Sequence, residues 1–411
     1  MQTTLADFIR GTRDGIEAES ILRACVHCGF CTATCPTYQL LGDELDGPRG
    51  RIYLIKQVLE GAEPTRKTQL HLDRCLTCRN CETSCPSGVR YGRLLDIGRK
   101  VVEQRVPRPL GERIRRTTLK EVLPRAALFK PALRAGRVLR PLLSRELQDK
   151  LQPAPDPGRW PARTHARKML VLDGCVQPAL APNINAAAAR VLDALGVQLI
   201  VARQAGCCGA LRYHMNDQEA GLDDMRRNVD AWWPYVEQVE AIVMTASGCG
   251  VTVKEYGHLL AHDPEYAERA RRISEMTRDV SEVLPQFQAQ LAALAQGRGG
   301  RRVVYHPPCT LQHGQQIRGK VESVLRAAGV DVVLCADSHL CCGSAGAYSM
   351  LHPDIAHALR ERKLADLAAT GADAIVSANI GCITHLRAGT NAPVTHWIEL
   401  LDRVLEERER G

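Results

Sequence analysis

The first quarter of the chain contains the same cysteine spacing twice, 50 residues apart. One copy runs from Cys25 to Pro36 and the other from Cys75 to Pro86, and both have the form Cys-x2-Cys-x2-Cys-x3-Cys-Pro. Thiols spaced this closely are typical of ligands to 4Fe-4S clusters, in which three cysteines bind one cluster and the cysteine before proline binds its neighbour. The chain is therefore predicted to fold around two adjacent clusters that carry electrons.

The residues around these two runs predict a helical domain of bacterial ferredoxin type over residues 1–104. Apolar residues recur at near-helical spacing between residues 4 and 24, ahead of the first run. Between the runs, a helix is predicted to begin after Pro48 and Gly50 and to end near Gly61. Two zinc sites are disfavoured here, because zinc sites normally present paired Cys-x2-Cys units rather than four cysteines in eleven residues.

Length and composition exclude several classes of protein. With 411 residues, of which 45% are hydrophobic, the chain is too long for a disulfide-stapled miniprotein and long enough for several cores. Residues 1–15 lack the apolar stretch of a secretory signal, and no segment approaches the roughly 18 to 20 apolar residues of a membrane span. We expect a cytoplasmic protein whose 17 cysteines bind metal rather than form disulfides.

The net charge of +8 is concentrated in one segment. Between Arg105 and Lys168, 17 Lys and Arg accompany 5 Asp and Glu, so this stretch carries +12 and the rest of the chain −4 (8 − 12). Prolines divide it into short basic amphipathic helices, which predicts a connector over residues 105–167. It either lies on anionic lipid or a partner subunit, or is a solvated linker packed on its own protein. Nucleic acid is not expected, because aromatic residues are nearly absent and no recognition motif is present.

Beyond residue 167 the chain repeats itself at an offset of about 133 residues. The apolar pair Val191-Leu192 recurs as Val324-Leu325, and the cysteines follow the same offset closely. The first copy contains Cys175, Cys207-Cys208-Gly209 and Cys249, and the second contains Cys309, Cys341-Cys342-Gly343 and Cys382. Because the apolar frame and the cysteines share one offset, we predict two duplicated cysteine-rich domains, 168–298 and 299–411.

Each copy alternates short apolar runs with helical stretches, which predicts α/β domains with parallel sheets. The predicted strands are 169–172, 199–202 and 242–244, then 303–305, 332–334 and 375–376. Every repeated cysteine follows one of these strands, at the sheet edge where open parallel sheets bind ligands. The predicted fold class is therefore multidomain, with an all-α N-terminal domain followed by two α/β domains whose loops gather four thiols each.

Together these features resemble the family of bacterial glycolate oxidase iron-sulfur subunits, related to the third subunit of anaerobic glycerol-3-phosphate dehydrogenase and to heterodisulfide reductase subunits. The resemblance includes both cysteine runs, the stretch Gly-Pro-Arg-Gly-Arg at residues 47–51, the basic connector and the two Cys-Cys-Gly modules. The tract at residues 306–314, from His306 to Gly314, is similar to the glycolate oxidase form in particular.

The resemblance implies two sets of cluster ligands, in agreement with the crossover expected from the spacing. The first set is Cys25, Cys28, Cys31 and Cys85, and the second is Cys75, Cys78, Cys81 and Cys35. No nucleotide-binding glycine motif follows a strand, so no flavin is expected on this chain. Because clusters accept single electrons, the resemblance implies FAD-containing partner subunits that oxidise glycolate to glyoxylate. This chain, with no catalytic residue of its own, would relay electrons to the respiratory chain or a quinone at the cytoplasmic face of the inner membrane.

The cysteine-rich modules leave several interpretations open. In heterodisulfide reductases the motif ends in Cys-x2-Cys, but neither Cys249 nor Cys382 is followed by such a cysteine. Four thiols per module still suffice for a cluster or zinc, and ligand count favours this in at least one module over a relic scaffold or a quinone or disulfide pocket. The candidate metal ligands are Cys175, Cys207, Cys208 and Cys249, and Cys309, Cys341, Cys342 and Cys382.

Other functions remain alternatives. The chain could be the equivalent subunit of a glycerol-3-phosphate or lactate dehydrogenase, or a thiol-disulfide enzyme of the heterodisulfide reductase type. A structural zinc or nucleic-acid protein is disfavoured by the cluster runs. Of the single residues, Cys335 is predicted to be a buried structural thiol, and His306 and His313 are either proton carriers beside Cys309 or satisfied loop histidines.

Overall fold

A computed structural model describes residues 1–142, 153–295 and 300–406 of the chain. The chain divides into two compact units. The first unit comprises Met1–Thr117 and His339–Lys363, and the second comprises Thr118–Ser338 and Leu364–Gly411. The predicted boundary at 298/299 lies outside the described residues. The boundaries at 104/105 and 167/168 stay predictions.

The first unit is helical, as predicted for the N-terminal domain. Its α-helices are Arg13–Ala24, Phe30–Ala33, Pro36–Leu41, Pro48–Leu59, Arg66–Asp73, Asn80–Thr83, Tyr91–Arg105 and Tyr348–Leu351, and Glu44–Asp46 forms a 3-10 turn. Helix Pro48–Leu59 starts on proline, whose fixed φ and missing N–H suit the first helical turn. Ile55 and Leu59 from this helix pack with Leu94 and Leu95 from Tyr91–Arg105 in a fully buried core.

The second unit contains two four-stranded parallel sheets. In the first sheet, β1 (Arg167–Val171), β2 (Val197–Val201), β3 (Ile242–Met244) and β4 (Thr277–Asp279) lie in the order β2-β1-β3-β4. In the second, β5 (Arg302–His306), β6 (Asp331–Leu334), β7 (Ala374–Ser377) and β8 (Val394–His396) lie in the order β6-β5-β7-β8. The identical orders confirm the duplicated α/β fold.

The sheet registers align the two copies. Leu170 of β1 pairs with Ile242 of β3, and Val304 of β5 pairs with Ile375 of β7. All six predicted strands are present, but β4 and β8 were not predicted. Each of these two has three residues of mixed polarity, which is too short for an apolar pattern to be recognised.

Helices cover both sheets of the second unit. They are Ala126–Val138, Gln177–Leu180, Asn183–Ala194, Ala210–His214, Gln218–Trp232, Ser247–Lys254, Tyr256–Leu259, Ala267–Met276, Val280–Val283, Gln288–Leu294, Lys320–Ala327, Ile380–Arg387 and Trp397–Glu406. The 3-10 turns are Arg140–Leu142, Trp233–Tyr235 and Leu284–Phe287, and Thr310–Gly314 is a π-helix. Two further helices, Leu110–Val122 and Pro353–Ala368, have residues in both units.

The basic connector is mostly helical over residues 110–142 and has neither helix nor strand over residues 153–166. Helix Ala126–Val138 contains Pro131 and buries Phe129 and Leu133. Its C-terminal end is different, because the side chains of Val138 and Leu142 are 79% and 82% exposed. The connector therefore packs part of its apolar surface on its own protein and leaves another part open to solvent. Within the three described stretches, none of the helices has the length and apolar character needed to cross a bilayer.

Candidate cluster sites and cysteine-rich modules

Cys25, Cys28, Cys31 and Cys85 line one cavity in the first unit, and Cys81 lines it as well. The first three belong to the first cysteine run and the fourth comes from the second run. This grouping matches the predicted first ligand set, although the ligand assignment itself stays a prediction. Four convergent thiols suit a 4Fe-4S cluster, which is held by cysteine thiolates.

A second cavity is lined by the other four cysteines of the two runs, Cys75, Cys78, Cys81 and Cys35. Here too, three cysteines come from one run and the cysteine before proline comes from the other. Pro48, Cys81 and Tyr91 line both cavities, so the cavities are side by side. Because the cysteine before proline of each run lies with the other run, the two sets of four thiols lie next to each other.

The loops that present these thiols are shaped by left-handed residues. In the first run, His27 and Gly29 have positive φ, and helix Phe30–Ala33 starts directly after them. In the second run, Thr77 and Arg79 have positive φ ahead of helix Asn80–Thr83. The same backbone path thus recurs 50 residues later and folds each run around its cavity.

Burial disfavours the charged form of thiols in both cavities. Burial, with a smaller effect of Cys25, raises the pKa of Cys31 to about 11. Burial also raises the pKa of Cys81 well above its usual value, and Cys78 and Cys75 add to the effect. A bound metal has the opposite effect on the pKa of these thiols, because it favours the thiolate form. The electrostatics of both cavities therefore fit metal ligands.

Polar side chains contact sulfur atoms in the second cavity. The hydroxyl of Tyr91 donates to Cys75 Sγ at 3.6 Å, and the hydroxyl of Thr37 lies 3.3 Å from Cys35 Sγ. The backbone N–H of Thr77 also donates to Cys75 Sγ, at 3.4 Å. None of these contacts was predicted, because a hydroxyl far along the chain carries no signal in the cysteine spacing.

A buried ionic network adjoins the second cavity. Arg51 lines this cavity with a side chain that is 1% exposed, and its Nη2 donates to Asp46 at 3.4 Å. Its Nε donates to the carbonyl of His71 at 2.7 Å, and its Nη1 donates to the Thr37 hydroxyl at 3.2 Å. Arg74 Nη1 also donates to Asp46, at 2.9 Å. One carboxylate is therefore shared by two guanidinium groups.

Cationic groups fix the two loops at equivalent carbonyls. Arg99 Nη2 donates to the carbonyls of Leu72 and Cys75, at 2.8 and 2.7 Å. The amino group of Met1 donates to the carbonyl of Leu22 at 2.8 Å and also to that of Cys25. The two pairs of carbonyls lie 50 residues apart, at the same positions of the two runs. Different parts of the chain thus hold the same backbone turn.

Residues of the segment His339–Lys363 pack within the first unit. The Tyr348 hydroxyl donates to the carbonyl of Arg74 at 3.0 Å, and Asn80 Nδ2 donates to the carbonyl of His339 at 3.2 Å. Burial raises the pKa of Tyr348, and the thiols of Cys75 and Cys341 raise it further by a smaller amount. Cys341 and Cys342 are both buried.

The first cysteine-rich module gathers its four repeated thiols. Cys175 and Cys208 both hydrogen-bond to Cys207, and Cys208 also hydrogen-bonds to Cys249. The hydrogen bond from Cys175, together with that from Cys208, holds the pKa of Cys207 well below its usual value. The same bonds raise the pKa of Cys175 and Cys208. The thiols of the module therefore lie close enough to interact with one another.

The glycine of each Cys-Cys-Gly sequence is required by close packing. Gly209 has φ +85°, and a Cβ there would lie 2.5 Å from the carbonyl oxygen of Gly221. Gly343 has φ +90°, and a Cβ there would lie 2.5 Å from the carbonyl oxygen of Ala356. Any other residue would meet both backbone strain and a steric clash. The motif thus lets the chain turn tightly after the two cysteines.

Two polar residues that sequence analysis missed hold the first module's cysteine pair. Asn228 Nδ2 donates to the carbonyl of Cys207 at 2.8 Å, and the Tyr256 hydroxyl donates to the carbonyl of Cys208 at 2.9 Å. Both side chains are fully buried. They orient the backbone of the pair without touching its sulfur atoms.

The repeated cysteines of the second copy belong to different units. Cys309 and Cys382 lie in the second unit, and Cys341 and Cys342 lie in the first. Asn379 Nδ2 donates to Cys382 Sγ at 3.6 Å. Cys335 is buried, and so are His306 and His313, of which His306 Nδ1 contacts the Ser377 hydroxyl at 3.1 Å. The roles predicted for these three residues and for the second thiol set stay predictions.

The loops of the two sheets meet in the second unit. The backbone N–H of Gly248 donates to Asn379 Oδ1 at 3.4 Å, and the hydroxyls of Ser247 and Thr310 lie 2.7 Å apart. Asn379 therefore connects the residue before Cys249 with the sulfur of Cys382. No repeat or spacing in the sequence indicates this asparagine.

Two family models match the chain. A model described as a 4Fe-4S dicluster domain matches residues 21–89, and one described as a cysteine-rich domain matches residues 169–254 and 303–387. The first range contains both cysteine runs, and the second pair of ranges contains the repeated cysteines of the two modules. The matches agree with the predicted helical cluster domain and duplicated cysteine-rich domains.

Curated relatives cover the chain almost completely. The glycolate oxidase iron-sulfur subunit of Escherichia coli strain K12 is 56% identical over 410 residues, which is 99% of this chain and 100% of the relative. The probable glycolate oxidase iron-sulfur subunit of Bacillus subtilis is 31% identical over 90% of this chain and 89% of the relative. Lactate utilization protein A of Geobacillus thermodenitrificans is 24% identical over 54% of this chain and 92% of the relative.

Proposed function

Because the chain belongs to the family of glycolate oxidase iron-sulfur subunits, we propose that it is the electron-transfer subunit of a glycolate-oxidising complex. The observation that carries this proposal is the pair of adjacent cavities, in which three cysteines of one run lie with the cysteine before proline of the other run. Cys25, Cys28, Cys31 and Cys85 would hold the first 4Fe-4S cluster. Cys75, Cys78, Cys81 and Cys35 would hold the second.

The substrate is oxidised on a partner subunit. Oxidation of a 2-hydroxy acid to a 2-oxo acid removes two electrons and requires a hydride acceptor, which a flavin provides and an iron-sulfur cluster does not. A bound 4Fe-4S cluster supplies one-electron acceptance and release. The chain therefore contributes no catalytic residue to glycolate oxidation and requires an FAD-containing partner, with a quinone of the respiratory chain as the acceptor.

The surroundings of the two cavities would have different roles in electron transfer. Cys28 and its neighbours Val26 and Phe30 are exposed at the first cavity, so a partner can approach this rim. Around the second cavity, Cys75, Cys81 and Cys35 are buried and exclude water. Arg99 and the amino group of Met1 hold the two ligand loops in place.

We propose further that the first cysteine-rich module binds a metal ion or cluster through Cys175, Cys207, Cys208 and Cys249. These thiols already interact with one another, and the thiolate form of cysteine is the one that binds metal. A role in attacking a substrate disulfide is less well supported, because Cys207 and Cys208 are almost completely buried. Iron and zinc analysis of the full-length Cys207→Ala variant tests this proposal, and a metal content equal to that of the unmodified chain would contradict it.

The connector would bring the protein to the cytoplasmic face of the inner membrane. Helix Ala126–Val138 and the following turn expose Val138, Leu139 and Leu142 beside Arg134. Exposed apolar residues next to arginine favour an anionic lipid surface. Flotation with vesicles containing anionic lipid measures this binding, and the double variant Val138→Ser, Leu142→Ser should float less than the unmodified chain. Equal flotation of the two proteins would contradict the proposal.

Anaerobic purification of the native complex tests the main proposal. We expect a flavoprotein to copurify with this chain, and we expect the complex to reduce a dye with glycolate but not with lactate or glycerol 3-phosphate. The matched control is the Cys28→Ser variant, in which the partner should still reduce its own flavin while electron delivery to the dye falls. Dye reduction with lactate and not glycolate would assign the complex to a different substrate.

A further inference from the structure

The two cavities differ in the charge placed against them. Arg51 lines the second cavity, and its side chain is 1% exposed. A guanidinium group remains protonated at any physiological pH, so this is a permanent positive charge in a dry position. Nothing in the cysteine spacing requires a cation there.

The charge of Arg51 is only partly neutralised. Its carboxylate partner Asp46 is 3.4 Å away and also receives a bond of 2.9 Å from Arg74. Arg74 and His71 also contact the carboxylate of Asp46, so Asp46 does not neutralise Arg51 alone, and the further carboxylate nearby, that of Asp43, is exposed to water. Burial alone would lower the pKa of Arg51, yet Cys75, Tyr91, Cys35 and Asp46 together raise it. The thiols of the second set thus face a stabilising cation.

The first cavity has a different arrangement on the same helix. Arg49 lines the first cavity, but its side chain is 35% exposed and its Nε lies 2.6 Å from Glu44 Oε1. An exposed ion pair is screened by water and has little net charge. Arg49 and Arg51 therefore lie two residues apart and act on the two cavities with very different strength.

Hydrogen bonds to sulfur act in the same direction as this charge. The Tyr91 hydroxyl donates to Cys75 Sγ of the second cavity, whereas the Thr37 hydroxyl donates to the carbonyl of Asp46 and lies 3.3 Å from Cys35 Sγ. Within the three described stretches of the chain, no side-chain donor contacts a sulfur atom of the first cavity. Hydrogen bonds to the sulfurs, local charge and solvent exposure are the features that set the potential of a 4Fe-4S cluster.

Burial of the second cavity acts in the opposite direction. A cluster with thiolate ligands becomes more negative when it is reduced, and a dry site disfavours that added charge. The same dry site, however, leaves the attraction to Arg51 unscreened, because a nearby cation acts most strongly where water is excluded. The buried cation and the Tyr91 hydroxyl, which donates to Cys75 Sγ, therefore act against the cost of burial.

We propose that Arg51 raises the reduction potential of the second cluster above that of the first, so that an electron entering at the first cluster settles on the second. The inference rests on the proposed electron-transfer function. The step moves one electron, with the first cluster oxidised and the second reduced, and it makes or breaks no bond and moves no proton. Arg51 acts through the cluster as a residue that sets its potential.

Potentiometric EPR titration of the anaerobically purified full-length chain tests the proposal, with iron and sulfide content measured on each sample. The signal of the second cluster is identified as the one altered by Cys35→Ser. In the Arg51→Gln variant, we expect the equilibrium constant for electron transfer from the first to the second cluster to fall at least tenfold, which corresponds to about 59 mV for one electron. Arg51→Lys keeps the charge and should retain most of the difference in potential. Arg49→Gln should leave the potential of the second cluster unchanged.

Each outcome decides the proposal. The proposal is overturned if Arg51→Gln keeps its full iron content and the potentials of the unmodified chain. It is also overturned if Arg51→Lys keeps its full iron content but has the same potentials as Arg51→Gln. Should Arg51→Gln lose iron, Arg51→Lys with full iron and unchanged potentials supports the proposal. Iron loss from both variants overturns it, because Arg51 would then be required for assembly. An unmodified chain without two clusters would instead contradict the proposed function.

Discussion

The two cavities of the first unit are lined by thiols of identical spacing, yet their surroundings differ. At the first cavity, Cys28 is exposed and Val26 and Phe30 next to it are 68% and 64% exposed. At the second, three of the four cysteines are buried and the fully buried Arg51 lies against them. The ligand motif decides which cofactor is bound, whereas residues far from the motif decide the charge and water around it.

This difference explains how a duplicated motif can support a directional process. Two identical clusters in identical surroundings would share an electron equally. An exposed site next to a dry site with a cation does not share an electron equally, because charge and solvent exposure both change the potential of a cluster. Substitutions that affect one cavity and spare the other are therefore the sharpest tests.

The largest effect is expected from replacing the cysteine before proline in each run. Cys35→Ser should damage the second cluster, and Cys85→Ser should damage the first, because each thiol lines the cavity of the other run. Cluster-resolved EPR together with iron analysis measures this. If Cys35→Ser instead damaged the first cluster, the crossed ligand assignment would be wrong.

Acidification should weaken the surroundings of the second cavity. Burial lowers the pKa of His352 to about 4, below its ordinary value of 6.5. The unfolded chain therefore binds a proton more readily between these values, and the stabilisation present above pH 6.5 is lost as pH falls toward 4. From pH 7 to pH 5 we expect a loss of about 2 kcal/mol in the free energy of unfolding.

Denaturant unfolding at several pH values measures this effect. The His352→Gln variant should show a flatter pH dependence than the unmodified chain. Burial and Arg49 also lower the pKa of His27 at the first cavity, but this side chain is exposed, so His27→Gln should flatten the pH dependence less than His352→Gln does. Equal slopes for the unmodified chain and His352→Gln would contradict the role of His352.

A smaller effect is expected from Tyr348→Phe. The variant removes the donor to the carbonyl of Arg74, the residue before Cys75. Loss of one buried hydrogen bond costs about 1 kcal/mol, measured as a change in the free energy of unfolding. The EPR signal of the second cluster should change and that of the first should not. An effect on the first cluster alone would show that Tyr348 does not act at the Cys75 loop.

The smallest effect is expected from Thr37→Val, which removes the hydroxyl near Cys35 Sγ and keeps the shape of the side chain. The potential of the second cluster should fall by less than in Arg51→Gln, because the hydroxyl is neutral and donates its proton to the carbonyl of Asp46 rather than to sulfur. Potentiometric titration measures the difference. A larger fall in Thr37→Val than in Arg51→Gln would mean that the hydroxyl, and not the charge, sets the potential.

Much of the fold could be predicted from the sequence because local patterns encode it. Cysteine spacing predicts both thiol sets, proline at residue 48 marks a helix start, and apolar runs mark six of the eight strands. Strands β4 and β8 were missed because three residues of mixed polarity give no pattern.

The environment of the candidate sites was less predictable, because it depends on contacts between distant residues. Arg51 belongs to a stretch noticed only through family resemblance, and its burial against Cys75 and Asp46 follows from the folded structure. Tyr348 follows the second Cys-Cys-Gly sequence, so the sequence places it in the second module, whereas it packs on the Cys75 loop in the first unit. Asn228 and Tyr256 donate hydrogen bonds to backbone carbonyls, and no residue pattern in the sequence indicates such contacts.

Potentiometric EPR of the unmodified, anaerobically purified chain tests the central claim most directly. The account predicts two 4Fe-4S signals, with the signal altered by Cys35→Ser appearing first as the potential is lowered. If the signal altered by Cys85→Ser appeared first, the buried cation would not govern the order of reduction and the account of the two cavities would be contradicted.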